Sequence, residues 1–499
     1  MSTDPSHFDL LIRGGTVIDG TRAPRFDADV GVIDGRIAAI GDLAGHQADT
    51  ILEADGRIVA PGFIDAHTHD DQAVLTQPDM SFKVSQGVTT VVAGNCGVSA
   101  APLRPDMDLP MPLSLIDAAG STRFATFADY LRALRETPSS VNVAAMVGHS
   151  TLRAVTMQGL DREASDAEIA AMQALVEEAL QAGAIGMSTG TFYPPAAKAT
   201  TEEIIEVGRP LSGRNALYVT HMRDEADHVM DSLDETFRIG RALRVPVVVS
   251  HHKLQNAQNF GRSAETLPFI QAAMKHQCIG LDCYPYTAGS TMIRTDRGML
   301  GGRVLIATSE PHPECAGREL SAIAAEWGVE PEEAARRLQP GSAIYFLMDE
   351  QDVRNILAFE RTMVGSDGIP LGDKPHPRLW GTFPRVLGHY SRDLGLFPLE
   401  TAVWKMTGLT ADTFGLAGRG SLKQGNHADI VIFDAGTVLD AATYDEPTRP
   451  ARGIDTVIVN GAVTWHGGEH RGARAGQVVR RTQADDPTRI AHRERRTIQ

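Results

Sequence analysis

Residues 8 to 60 alternate apolar and polar positions in short runs, DLLIRGG, TVIDG, ADVGVIDGR, IAAIG and GRIVA, with Asp-Gly or Gly-Gly at several reversals. That is period-two patterning broken by tight turns, and it predicts a small antiparallel β unit. The stretch from about 419 to 465 repeats the style in GSLKQG, ADIVIFD, DTVIVNG and AVTWHGG. The two ends are therefore expected to pair into one β-sandwich domain, residues 1–60 with 419–480, since chain termini commonly lie close together.

Between them the pattern changes. Apolar, β-rich runs alternate with amphipathic helical segments, the signature of βα units around a parallel sheet. Eight such runs can be counted: VAPGFID (59–65), GVTTVVAG (87–94), NVAAMVG (142–148), AIGMS (184–188), ALYVTH (216–221), VPVVVSH (245–251), CIGLDCYPY (278–286) and TMVGSD (362–367). Eight strands close a (β/α)8 TIM-like barrel, expected over residues 61–418. One helix reads closely: Ser165 and Glu168 form a capping box, Ile169, Met172, Leu175, Val176 and Leu180 an apolar stripe, and Gly183 a stop. Residues 288–345 read as an irregular, helix-containing insertion between strands seven and eight, of the kind that covers a barrel's active face. Residues 481–499 read as a polar tail with little core to join.

The chemistry-bearing residues fall at strand ends. Strand one runs into Asp65-Ala66-His67-Thr68-His69, and residues two apart in extended backbone point the same way, so His67 and His69 can share an ion. Strand two leads to Cys96, strand five ends at His221, strand six at His251, and strand eight at Asp367. Barrel enzymes place their chemistry at the C-terminal ends of the strands. A lone histidine is ordinarily a core residue, but chance would scatter 17 histidines among helices and loops. Thiolate and imidazole suit zinc better than magnesium or calcium, although cobalt, manganese or iron could substitute. Cys96, His221 and His251 make a tight site with a position left for water; His67 and His69 would hold a second, weaker ion or complete the first. Asp367 is the candidate proton acceptor and donor, against the plainer reading of an Asx turn in Ser-Asp-Gly.

Composition changes the picture little. A balance of 47 Lys and Arg against 63 Asp and Glu, net charge −16, disfavours nucleic acid and anionic membrane as partners. The sequence MSTDPSHFDLLIRGG lacks a basic and then apolar leader, and no run of about 18 apolar residues occurs, so a cytoplasmic location is expected. Four cysteines, Cys96, Cys278, Cys283 and Cys315, are too few for a disulfide framework in so long a chain, and burial is the default for each.

The motifs PGFIDAHTHDD, GVTTVVAGNCG, YVTHMRDEADH, SHHK and VGSDG, with GHSTLR, STGTFYPPA, HPRLWGTFPRVLGHYSRD and KMTGLTADTFGL, resemble the D-aminoacylase (N-acyl-D-amino-acid deacylase) branch of the amidohydrolase superfamily over all but the last twenty or so residues. The resemblance implies zinc-dependent hydrolysis of a small N-acyl-D-amino acid to a carboxylate and a D-amino acid. It assigns Cys96, His221 and His251 to the tight zinc, His67 and His69 to the weaker site, and Asp367 to general base and acid. Many binuclear relatives bridge their metals with a carboxylated lysine after strand four; here that strand reads AIGMSTG, and the resemblance implies that Cys96 takes the bridging role. The resemblance also implies a carboxylate-binding group of Tyr193, Lys253 and Arg378, with Tyr284, Ser290 and Arg297 shaping the side-chain pocket. Broad or apolar side chains such as D-Met, D-Leu and D-Phe are expected; Arg294 and Arg297 leave N-acyl-D-glutamate or N-acyl-D-aspartate as the alternative. Two remote alternatives stand: a metal-free scaffold of the same fold, and a serine hydrolase using Gly186-Met187-Ser188-Thr189-Gly190 or Ser250 to Lys253. The prolines at 194 and 195 and the β-rich run before Ser250 argue against the latter. Gly418-Arg419-Gly420 with Gly425 lacks the spacing of a nucleotide-binding loop.

Overall fold

The chain's two ends meet in one nine-stranded sheet, seen in a computed structural model that describes residues 7–117 and 121–482. His7–Val17 lies near its middle, with Phe26–Ile33 and Arg36–Gly41 following antiparallel across a turn at Asp34 and Gly35. The expectation of a purely antiparallel unit needs correction: Gln47–Glu53 and Ile58–Pro61 both run parallel to His7–Val17. DLLIRGG and TVIDG are one strand, not two, kinked by a bulge where Gly14 takes a φ of 63°. Ile430–Phe433 then pairs with Ile58–Pro61, and Ile454–Val459, Ala462–His466 and Glu469–His470 extend that side. The sheet folds over on itself, because Ile37 from one end and Ile458 from the other join a single apolar cluster.

Gly62 separates this sheet from the barrel, so the run 59–65 is not one strand: Ile58–Pro61 belongs to the terminal sheet and Phe63–Asp65 to the barrel. A Cβ at Gly62 would lie 2.2 Å from the Thr89 side chain, which leaves room only for glycine at the crossing. The barrel strands are Phe63–Asp65, Val88–Ala93, Asn142–Ala145 continued by Val147–Gly148, Gly186–Gly190, Leu217–His221, Val247–Val249, Ile279–Cys283 and Thr362–Val364. Each runs parallel to its neighbour. The ring closes where Ala66 N–H donates to Val364 O at 3.2 Å and Asp367 N–H to His67 O at 2.8 Å. Alternation sets the layers: Ile64, Val92, Ala144, Val219, Val248 and Met363 fill the barrel, while Phe63, Val91, Val143, Tyr218 and Val247 face the surrounding helices.

The helix Asp166–Ala182 starts at the Ser165–Glu168 capping box and stops at Gly183, as its sequence predicts. Residues 288–345 are more ordered than expected. They contain a three-stranded antiparallel sheet of Gly289–Met292, Gly341–Phe346 and Arg303–Ser309, with the helices Leu320–Trp327 and Pro331–Leu338 packed in its own apolar cluster. At the C-terminus, residues 476–482 run back along the barrel: Val143 N–H donates to Gln477 O, Val479 N–H to Val143 O, and Arg481 bonds Asn215 and Thr413. Residues 481 and 482 are thus anchored, and the rest of the polar tail, 483–499, lies outside the described residues. Among the described residues no helix is long and apolar enough to cross a membrane.

Candidate metal centre and active site

The C-terminal ends of five strands bring His67, His69, Cys96, His221, His251 and Asp367 together. Cys96 Sγ lies 3.3 Å from His67 Nε2, 3.3 Å from His251 Nε2 and 3.6 Å from His221 Nδ1. His69 Nε2 is 3.2 Å from Asp367 Oδ1, and His67 Nε2 is 3.6 Å from the same oxygen. Two donor groups result, His67, His69, Cys96 and Asp367 on one side and Cys96, His221 and His251 on the other, with Cys96 common to both. Three of the six sit on left-handed backbone, Cys96 at φ 54°, His251 at 34° and Asp367 at 50°. Such strain costs about 1–3 kcal/mol a residue and persists where the surroundings impose it.

The spacing suits a shared ion. Tetrahedral zinc with Zn–S about 2.3 Å and Zn–N about 2.0–2.1 Å sets its sulfur and nitrogen ligands about 3.6 Å apart. The measured 3.3 to 3.6 Å around Sγ matches that edge. Burial pushes the Cys96 thiol up, but His67 and His251 outweigh it and hold the thiol well below its ordinary value, favouring the thiolate that binds metal. Burial likewise raises the Asp367 carboxyl, and the Arg378 guanidinium 2.8 Å away brings it well below the usual carboxylate range.

Three supporting groups were not singled out from the sequence. Asp282, at the end of strand seven, accepts the His251 N–H at 2.9 Å and lies 3.5 Å from His67 Nδ1. Glu225 reaches His251 Nδ1 at 3.0 Å, lies 3.6 Å from His221 Nε2, and holds Lys253 at 2.8 Å. Carboxylates behind metal-ligating imidazoles fix ring orientation and raise basicity. Lys83, wholly buried, donates to Asp65 Oδ2 at 2.7 Å and Ser366 Oγ at 2.9 Å and lies 3.2 Å from Asp70 Oδ2. The rule that strand ends carry chemistry could have found Asp282; nothing local marks Lys83.

Above the cluster, a cleft is lined by Tyr193, Lys253, Tyr284 and Ser290 together with Phe192, Met299, Tyr345 and Met348. Four of the six residues expected to contact substrate thus line this cleft. Arg378 is fully buried behind Tyr284, stacked on its ring at 4.6 Å, and is engaged by Asp367 and by Ser290 O. Arg297 requires correction: its side chain is 93% exposed and pairs with Glu332, so it does not shape the pocket. It begins the short helix Arg297–Leu300, whose buried residue is Met299. Arg294 stacks over Phe192 at 4.6 Å and pairs with Asp296. The serine reading also fails. Ser188 accepts the Gly97 N–H and donates to Gly94 O deep in the wall, and Lys253 serves Glu225 rather than Ser250. Arg419 is tied to Asp429 and Asn460 within the terminal sheet, with no phosphate-type loop. Cys283 and Cys315 are buried as expected; Cys278 is exposed instead.

The amidohydrolase family profile matches residues 50–276 and 316–465. The chain is 60% identical to the D-aminoacylase of Alcaligenes xylosoxydans xylosoxydans, over 97% of this chain and 99% of that one. It superposes with a TM-score of 0.93 on a D-aminoacylase structure concerned with a binuclear metal centre, 60% identical, covering 95% of this chain and 100% of that one. It does so with a TM-score of 0.92 on the N-acyl-D-glutamate deacylase of Bordetella bronchiseptica complexed with zinc and a phosphonate mimic of the tetrahedral intermediate, 47% identical, at the same coverage.

Proposed function

The chain belongs to the amidohydrolase family, and on that premise we propose that it hydrolyses N-acyl-D-amino acids to a carboxylate and a D-amino acid with zinc at the Cys96 cluster. The observation that carries the reading is the convergence of six donor residues from five strand ends into two groups that share Cys96 beneath a cleft. Cys96, His221 and His251 would hold the tight ion, and His67 and His69 with the shared Cys96 a weaker second one. Bound zinc supplies Lewis-acid polarisation of the acyl carbonyl and makes water acidic enough to attack at neutral pH.

The chain's own residues do the rest. Asp367, kept ionised by Arg378, takes the proton of the attacking water and passes it to the amine nitrogen as the C–N bond breaks. His69, 3.2 Å from the same carboxylate, fixes its orientation. Lys253 and Tyr193 bind the substrate's α-carboxylate, with the Arg378 charge beneath Tyr284 adding to the field. Tyr284 and Ser290 border the side-chain pocket, whose remaining wall of Phe192, Met299, Tyr345 and Met348 favours apolar side chains. One observation favours acidic substrates instead: Arg294 lies over Phe192, although Asp296 neutralises it. D configuration follows from the relatives. With four unpaired cysteines, the protein is assigned to the reducing cytoplasm.

The test is metal content of the purified protein together with hydrolysis of N-acetyl-D-methionine, its L enantiomer and N-acetyl-D-glutamate, before and after chelation. Zinc near one equivalent and D-selective activity lost on chelation are expected, with methionine preferred over glutamate. Full activity in a metal-free protein refutes the zinc reading, and a clear preference for glutamate refutes the apolar pocket.

A further inference from the structure

Two recesses flank the donor cluster, and they differ in chemistry. The one on the His221 side carries Glu225, Lys253 and Gln255. The other opens beyond His69 and Cys96 and shares with the first a partition of Tyr193, Ser290 and Thr291, with Thr291 donating to Tyr193 Oη at 3.1 Å. Past that partition its wall is Val98, Pro112, Leu115, Ile116 and Ile369, and among the described residues no charged side chain joins it.

We infer that this second recess seats the acyl chain, and that the protein cleaves D-amino acids bearing aliphatic acyl groups longer than acetyl. The inference rests on the deacylase reading and extends it to the other half of the substrate. An N-acyl amino acid straddling the cluster is asymmetric: the amino-acid half brings a carboxylate, the acyl half only methylenes. A carboxylate turned toward Val98 and Leu115 would lose its water without gaining a partner, whereas on the other side Lys253 meets it. The charged half therefore takes the His221 side, and the acyl chain is left with the apolar recess.

The recess also offers five apolar side chains, Val98, Pro112, Leu115, Ile116 and Ile369, more than an acetyl methyl alone can cover. Its wall is braced from behind. In the turn Leu113–Ile116, Leu113 and Ile116 pack with Val98, Leu103 and Met107 in a separate apolar cluster. Leu115, although only 7% exposed, lies outside that cluster and borders the recess, so changing its size alters the recess without unpacking that cluster.

The experiment compares N-acetyl-, N-butanoyl-, N-hexanoyl- and N-octanoyl-D-methionine on the zinc-loaded protein and on Leu115→Trp and Leu115→Ala. Each methylene that enters an apolar site gives about a fourfold gain, so kcat/KM should climb by about that factor per carbon beyond acetyl and then level off. Leu115→Trp should bring the hexanoyl-to-acetyl ratio down toward one, and Leu115→Ala should move the plateau to a longer chain. The alanine variant keeps the test open if tryptophan does not fold. Falling kcat/KM with acyl length in the wild type overturns the inference. So does a Leu115→Trp protein whose acyl ratio is intact while its preference between N-acetyl-D-methionine and N-acetyl-D-alanine has changed, because the two halves would then be reversed. Failure of the deacylase reading is distinct: no N-acyl-D-methionine of any length, acetyl included, would be cleaved.

Discussion

Replacing Lys83 with methionine should cost about 3–5 kcal/mol of stability, because it keeps the stem's volume and deletes the one cation between two buried carboxylates. Lys83, Asp65 and Asp70 are all 0% exposed, and the ammonium stands 2.7 and 3.2 Å from the two acids. Burial, the larger effect, already pushes the Asp70 carboxyl up to about 6 with Lys83 nearby. Without the lysine Asp70 can protonate near neutral pH, so the cost should fall toward the lower end of that range. Even 3 kcal/mol is roughly a 150-fold change in the folding equilibrium. The loss should spread to the site, since Lys83 donates to Ser366 Oγ at 2.9 Å and Asp65 accepts the Ser366 N–H at 2.8 Å, one residue before Asp367. Urea unfolding of the metal-loaded protein, read alongside kcat, is the assay. Removing both charges as well, in Lys83→Met/Asp65→Asn/Asp70→Asn, should recover most of the loss. A single variant within about 1 kcal/mol of wild type, or a triple variant no more stable than the single, would show that this buried triad does not hold the strand-one and strand-eight loops as argued.

Cys96→Ala should lose metal from both donor groups at once and abolish turnover, read by elemental analysis and kinetics; full zinc content would remove Cys96 from the centre. Asp367→Asn should retain metal yet lower kcat by about 10²–10⁴, the usual worth of a general acid or base, and an active variant would exclude it from proton transfer. Glu225→Gln, which leaves His251 Nδ1 without its carboxylate, should weaken metal affinity or activity about 10–100-fold, measured by competition with a chelator. Glu203 is paired in the interior with Arg153 and His149; burial pushes its carboxyl up, but the bonds from these partners bring it down to about 2 from 4.5. Its stabilisation is therefore complete above pH 4.5 and lost as pH falls toward 2, so the gap in urea midpoint between wild type and Glu203→Gln should be constant at neutral pH and shrink below 4.5.

Much of this molecule is legible along the chain because strand ends are local. Eight apolar runs announce the barrel, and candidate donor residues stand where five of them stop, so His67, His69, Cys96, His221, His251 and Asp367 can be named without coordinates. The capping box at Ser165 and the stop at Gly183 are local for the same reason: their hydrogen bonds span three or four residues. What the chain does not announce depends on residues far apart in sequence. Lys83 meets Ser366 across 283 positions, and Arg378 is buried against Asp367 rather than free in the cleft. Arg297 has the right charge in the right region, yet a short helix turns its side chain to solvent while Met299 faces inward. The parallel pairing of Gln47–Glu53 with His7–Val17, and the division of one apparent strand at Gly62, were likewise decided in three dimensions. Alternation tells a strand which face is apolar but not which neighbour it will meet or in what direction. The sequence alone determined the barrel, its count of strands and the residues that gather at its mouth; tertiary packing decided which charges neutralise one another, and hence which remain for a substrate.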